Sequence, residues 1–264
     1  MNIDLDLYKK FLLPECDRCA FIQVYFNKSG IECPVIGLGK KKHLYVKFPL
    51  SQYNPSFTIK TVIAHYDRFD GSPGANDNSS SVLAIMNWAV NLNKTNRVHN
   101  VRIIFTDGEE LGESGGVAEQ GAFPLAQMFR RLGITNNDVF VFDCMGRGDV
   151  PILAQAIVPP NVSTKFLQEF SDLELRAKNL LKAASGGKWF CLPCNYSDNA
   201  SFIANGIPSV AITMLPSEEV ETVLATGTCP TWQMFHTPQD NLQSLNPQSF
   251  ELFHAILNKL TFLR

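Results

Sequence analysis

The chain contains no apolar stretch approaching the ~18 residues a membrane-crossing helix needs. Its opening, MNIDLDLYKKFLLPE, sets acids ahead of lysines and lacks the apolar core of a secretory leader. It also lacks an excess of either charge. The 23 basic and 25 acidic residues leave a formal net charge of -2, so no long-range field draws it to nucleic acid or an anionic membrane. The only dense basic run, Lys40-Lys41-Lys42, separates two apolar segments and reads as a solvated turn. There is no internal repeat and no low-complexity linker. Seven cysteines is an odd number and argues against a complete disulfide framework. These absences lead to an expectation of a cytoplasmic protein (secreted if a leader has been removed) with no nucleic-acid or membrane partner. They leave its oligomeric state open.

What is present is an ordinary globular composition. At 264 residues and 45% hydrophobic, the chain suits one large α/β domain over 1–264 that buries its core without disulfides. Its cysteines include two close pairs, Cys16-x-x-Cys19 and Cys191-x-x-Cys194. Three readings stand for these: a shared structural zinc, a local Cys191–Cys194 bridge, or free thiols. Cys33, Cys144 and Cys229 read as small buried hydrophobes.

Residues 4–14 read as a short helix ending near Pro14. AFIQVYF, PVIGLG and HLYVKF read as strands because of their β-branched and aromatic content. TVIAH at 61–65, VRIIFT at 101–106, DVFVFD at 138–143 and PILAQAIV at 151–158 are apolar runs of the kind buried on both faces of a sheet. Helical spacing covers Ser79 to Leu92, Ala118 to Leu132, and 162–184 with a break near Leu173. It returns over Ser197 to Asn205, Ser217 to Leu224 and Pro247 to Leu263. Ile207 to Thr213 reads as a further strand. Alternating strands and helices predict a three-layer α/β/α sandwich around a mixed, mostly parallel central sheet.

Sites in such sheets form beyond the carboxyl ends of the strands. His65, Glu109, Glu110 and Asp143 all fall at or just past such ends. With Asp77 and His236 they include two imidazoles and several carboxylates without a thiolate, a donor set suited to zinc or manganese in a catalytic site. Singly, each has a duller reading: His65 as a core residue, Asp77 as a helix cap. Asp67, two residues after His65, is placed to hold the second ring nitrogen of that histidine. An ionised Asp143 ending a buried strand needs a partner or a metal. Glu110 and Glu109 point different ways, so one can ligate while the other shuttles a proton. Asp240 is read as orienting His236 or capping the segment before the last helix, and Asp198 as a helix cap or a support to the site.

The ordered set H-x-D, G-A-x-D-N, D-G-E-E-x-G, an Asp after an apolar strand, S-D-x-x-x-F-x-x-x-G-I-P and H-T-P-x-D-N resembles the M28 family of zinc aminopeptidases. Glutaminyl cyclases share that fold and most of the motif. The resemblance covers about 60–264 and implies a zinc-exopeptidase-like fold. By it, His65, Asp77 and Asp143 would hold one Zn2+, and Asp77, Glu110 and His236 a second, with two expected per chain and one possible. Glu109 would be the general base. The substrate would be a peptide with a free N-terminus, cut by a hydroxide shared between the metals. A cis peptide would follow the bridging aspartate, at Asp77–Asn78.

The chain departs from the family at three places. Asn199 stands where members often have His. Phe235 stands where peptidases carry Tyr and cyclases Trp, which leaves Tyr196 as the nearest hydrogen-bond donor by sequence. Residues 1–58 carry no motif. Trp189, Phe190, Phe202 and Phe235 are read as either core or the wall of a side-chain pocket. Two rival readings remain: a single-zinc glutaminyl-peptide cyclotransferase, and a non-catalytic metal-binding member of the family.

Overall fold

The computed structural model describes residues 4–134 and 137–263. Two helices, α1 (Leu5–Phe11) and α2 (Arg18–Lys28), precede the antiparallel strands β1 (Val35–Leu38) and β2 (Lys41–Val46). Then follow β3 (Ile59–His65), α3 (Ser81–Lys94), β4 (Val101–Thr106), the one-turn α4 (Gly112–Gly115), α5 (Ala122–Arg131), β5 (Asn137–Phe142) and β6 (Val150–Ala154). The remainder is α6 (Thr164–Ala184), β7 (Phe190–Leu192), α7 (Asp198–Ala204), β8 (Ser209–Leu215), α8 (Ser217–Thr226), α9 (Pro230–Met234) and α10 (Pro247–Thr261).

The eight strands form one sheet in the order β1-β2-β4-β3-β5-β8-β6-β7. Its centre, β4-β3-β5-β8, is parallel, and β2 and β6 pair antiparallel onto it from either side. Alternation along β3 splits the core. Val62 and Ala64 face a cluster built with α2, α3, α6 and α10, while Ile63 faces α5 and α7 through Leu125, Phe129 and Phe202. This is the predicted three-layer sandwich. Parallel register sets His65 beside Thr106, and Ile63 beside Val141, so the carboxyl ends of β3, β4 and β5 open on one edge.

Several elements differ from the sequence reading. AFIQVYF is helical and lies inside α2. Its Ile22 and Phe26 are buried together with Arg18, a spacing of four that makes one helix face. Asp17 caps the helix by accepting the N–H of Ala20 at 2.9 Å, a local signal that the β-branched content obscures. Helix α6 runs unbroken through Leu173, which is buried on the same face as Phe166, Ala177 and Leu181. The short strand β7 and helix α9 have no counterpart in the sequence reading. No helix among the described residues is long and apolar enough to cross a membrane.

Candidate metal centre

All the candidate side chains but His236 are delivered by a strand end or by the loop after it, and His236 follows the short helix α9. His65 closes β3 with no exposed surface. Asp77 lies in a buried turn, Ala75–Ser80, ahead of α3, and the Asp77–Asn78 peptide is cis. The Asn78 amide ties this turn to the end of β5. Its nitrogen donates to the carbonyl of Phe142 at 2.9 Å, and its oxygen accepts the N–H of Cys144 at 3.1 Å. Asp143 is thus bracketed by two hydrogen bonds to the residue that follows Asp77.

The two carboxylate oxygens of Asp77 face different partners. Oδ1 lies 3.2 Å from His65 Nε2, and Oδ2 lies 3.4 Å from His236 Nε2. Asp143 Oδ1 is 3.4 Å from the same His65 nitrogen, and Glu110 Oε2 is 2.9 Å from His236 Nε2. Two groups result, His65–Asp77–Asp143 and Asp77–Glu110–His236, each with ligand atoms within 4.8 Å of one another. The geometry therefore gathers all five expected side chains and makes Asp77 common to both groups.

The residues fit a pair of cations. Both ring nitrogens of His65 and Oε1 of Glu110 are buried without a hydrogen-bond partner, a costly state unless a ligand occupies the space between them. Among the described residues, no lysine or arginine makes an ion pair with Asp77, Glu109, Glu110 or Asp143. Neither cation-sized group includes a cysteine, and all seven cysteines are free thiols.

The electrostatics follow from burial and crowding. Burial alone would lower the pKa of His65, but Asp143, Asp67 and Asp77 push it well above its ordinary value. Contacts with Asp77 and Glu110 raise His236 to about 11. Burial pushes Asp77 up, and the two histidines outweigh it and hold it well below the usual carboxylate range. Glu110 rises to about 7 through burial and the nearby Asp77. Glu109, raised well above its ordinary value by burial and then by Asp143, Asp198 and Asp77, touches no histidine. Its Oε1 accepts from the Gln120 amide at 2.8 Å, which holds the carboxyl beside the two groups without drawing it into either.

Asp67 lies 3.4 Å from His65 Nδ1. It also accepts the N–H groups of Glu109 and Glu110 at 3.1 and 3.2 Å, so it faces one candidate ligand and holds the backbone of two acids. Asp240 does not reach His236. It accepts the N–H groups of Asn76 and Asp77 at 2.7 and 3.0 Å and fixes the turn. The acid on His236 Nδ1 is instead Glu113, at 3.0 Å. The Phe69 ring stacks on the same imidazole, with centroids 4.5 Å apart and planes 13° apart. His236 sits in the left-handed region at φ 60, as does Cys144 after Asp143 at φ 58. Such backbone at non-glycine residues is uncommon outside sites that over-determine it.

Asp198 is no helix cap. Its carboxylate accepts the Thr106 hydroxyl, its Oδ1 is buried without a partner, and burial raises its pKa to about 7.

A pocket of about 320 Å3 opens beside the two groups. Five acids line it (Asp77, Glu109, Glu110, Glu113 and Asp143) with no lysine or arginine. Ala154, Cys194, Ala211, Ile212, Trp232 and Phe235 give it an apolar side. Of the four aromatic residues read as either core or pocket wall, Phe235 alone lines it. Phe202 is core, Phe190 is exposed, and Trp189 packs against the larger cluster. Tyr196 is at the pocket wall, and its hydroxyl donates to the carbonyl of Gly112 at 2.8 Å.

Residues 48–261 match the profile of peptidase family M28. The chain belongs to that family. Its fold is similar to that of the Legionella pneumophila LapA aminopeptidase, at 18% identity and a TM-score of 0.67, covering 97% of this chain and 69% of that one. It is similar to a Zn-dependent exopeptidase from Parabacteroides distasonis, at 15% identity and a TM-score of 0.68, covering 100% and 99%. A Bacteroides thetaiotaomicron glutaminyl cyclase crystallised with N-acetylhistamine is similar at 16% identity and a TM-score of 0.68, covering 100% and 98%. No curated protein matches the sequence.

Proposed function

We propose that this protein is a zinc-dependent aminopeptidase that removes an N-terminal residue with an apolar side chain. The observation that carries the reading is Asp77, whose two oxygens address two separate histidine–acid groups. His65, Asp77 and Asp143 would hold one zinc, and Asp77, Glu110 and His236 the other. Paired zinc ions, when bound, supply Lewis acidity toward a carbonyl and acidify water.

The chain's own residues supply the rest. Glu109 stays free of both groups, and its raised pKa suits a carboxyl that takes a proton at one moment and returns it at the next. Gln120 fixes its orientation. The excess of acid along the pocket favours a free α-ammonium group, and the apolar side from Ala154 to Phe235 receives the first side chain. An acetylated N-terminus lacks the charge that the acids attract.

Cyclisation of N-terminal glutamine is the second reading. It draws on Asp198, a second buried carboxyl close enough to raise the pKa of Glu109, because cyclisation must pass a proton from an amine to leaving ammonia. One experiment separates the two. The purified protein is titrated with zinc, its bound metal is counted, and unblocked, acetylated and glutamine-initiated peptides are supplied. The expected result is two zincs per chain, free amino acid from unblocked peptides and none from acetylated ones. One zinc with ammonia release would establish cyclisation instead. Zinc loading without either product would overturn both.

A further inference from the structure

The loop between His65 and Asp77 has no regular structure, so its carbonyls need partners from elsewhere in the chain. One side chain supplies three of those partners. Arg18, at the start of α2, is 6% exposed. Its Nη1 donates to the carbonyls of Tyr66 and Asp67 at 3.0 and 3.2 Å, and its Nη2 donates to the carbonyl of Pro73 at 2.9 Å. The Phe11 ring lies under the guanidinium, 4.7 Å from its carbon. Arg68 answers in the opposite direction and donates to the carbonyls of Leu12 and Pro14 at 3.2 and 2.6 Å. At the far end of the loop the backbone is in the left-handed region at Gly74. A Cβ built there would stand 2.6 Å from the Asp77 carbonyl oxygen and 3.1 Å from Arg68 Cβ.

Between the two ends that Arg18 grips lie the residues that steer the candidate ligands. Asp67 faces His65 and holds the backbone of Glu109 and Glu110. Phe69 stacks on His236. Ser72 donates to the carbonyl of Thr237 at 3.2 Å. One planar guanidinium that fixes carbonyls at both ends of this loop sets all three contacts at once. A lysine has a single nitrogen and cannot span those positions.

We propose that Arg18 is a positioning residue for the metal centre, so that the α1–α2 pair, which lies outside the family-matched segment 48–261, is a working part of the site. This rests on the metal-centre reading above and goes beyond it. The guanidinium touches no candidate ligand. It acts through the loop, on His65 by way of Asp67 and on His236 by way of Phe69.

The test is zinc affinity and the visible spectrum of the cobalt-substituted full chain, compared among wild type, Arg18→Gln, Arg18→Lys and a control, Phe26→Leu. Phe26 is buried on the same helix, where its ring packs against Tyr25 and Phe105. Both Arg18 variants are expected to weaken zinc binding by roughly 10- to 100-fold, as loss of an orienting partner does, and to shift the cobalt bands. Phe26→Leu is expected to lower the thermal midpoint of the metal-free protein with zinc affinity and spectrum unchanged. If Arg18→Gln does not fold, Arg18→Lys carries the comparison. Zinc affinity and cobalt spectrum equal to wild type in the folded Arg18 variant would overturn the proposal. Equal weakening in Phe26→Leu would reduce Arg18 to a packing role and overturn it as well. Wild-type protein that takes up no zinc would overturn the metal centre and this proposal together. Zinc uptake without peptide turnover would remove only the aminopeptidase reading and leave the Arg18 comparison readable.

Discussion

Strand β5 has one aspartate near its amino end and another just past its carboxyl end, and the two are neutralised in different ways. At the amino end Asp138 is 6% exposed and receives both nitrogens of the Arg176 fork at 2.7 Å. At the carboxyl end Asp143 meets His65 at 3.4 Å and no arginine or lysine among the described residues. The histidines differ in the same sense. His99, just before β4, is buried with both ring nitrogens used: Nδ1 accepts the N–H of Val101 at 3.0 Å, and Nε2 faces Gln52 Oε1 at 3.0 Å. His65, at the end of β3, is buried with neither nitrogen hydrogen-bonded. At the amino edge Asp138 and His99 find their partners within the chain, while at the carboxyl edge the nitrogens of His65 and Oε1 of Glu110 converge unpartnered on a gap. That imbalance marks the carboxyl edge as a place for a ligand, more than any single acid does.

The largest expected effect tests the carboxyl edge, where the proposed chemistry would sit. Glu109→Gln keeps the shape of the side chain and its contact with Gln120 but removes the ability to take a proton. Turnover of an unblocked peptide should fall by roughly 10²- to 10⁴-fold, with zinc content equal to wild type. Turnover close to wild type would remove Glu109 from the mechanism. Asp77→Asn comes next. An amide presents one oxygen where the carboxylate presented two, so both zinc ions should be lost or weakened together by metal analysis. Loss of one alone would show that Asp77 does not bridge.

The carboxyl edge was legible in the sequence because three apolar runs ended at or just before candidate site residues. TVIAH, VRIIFT and DVFVFD became β3, β4 and β5 with boundaries within two residues, and the residues at their ends met in space. Legibility failed where strand-like composition sat on a helix, as in AFIQVYF. It also failed where an element was only three residues long, as in β7. Of the supports, Asp67 could be read because it lies two residues from His65. Arg18 could not, since it meets the loop after β3 across 48 residues of chain and carries no local pattern. One of the two roles read for Asp240, orienting His236, fails for a related reason. Four-residue spacing suggested the ring of His236, but the chain turns and takes its carboxylate to the Asn76–Asp77 backbone. Glu113, three residues past Glu110 and inside the one-turn α4, takes that place on His236.

The contrast between the histidines has a pH signature. Burial, and then the charge of Lys60, lower the pKa of His99 from 6.5 to about 4. Between those values the unfolded chain binds the proton and the folded chain does not. The stability His99 contributes is therefore full above about pH 6.5 and is lost as pH falls toward about 4, at about 1.4 kcal/mol per pH unit. Urea unfolding of metal-free wild type and His99→Gln should show a gap that narrows over this window. A gap independent of pH would mean that His99 is charged in the folded state, and the amino edge would lose its distinction from the carboxyl edge.

The smallest expected effect returns to strand β5. Asp138→Asn leaves the Arg176 guanidinium without its countercharge. Arg176 keeps 32% of its side chain in solvent, so the loss should be roughly 1–3 kcal/mol rather than the full cost of orphaning a deeply buried ion. Zinc affinity should not change, because the substitution lies at the opposite end of the strand from the pocket. Asp143→Asn should do the reverse: weaker zinc binding, with little change in the stability of the metal-free protein, because the acids crowded around Asp143 repel its charge as His65 attracts it. Chemical unfolding and zinc titration on both variants make the comparison within one strand. If Asp138→Asn alone weakened zinc binding, or Asp143→Asn alone destabilised the metal-free fold, the division of labour between the two edges would be wrong.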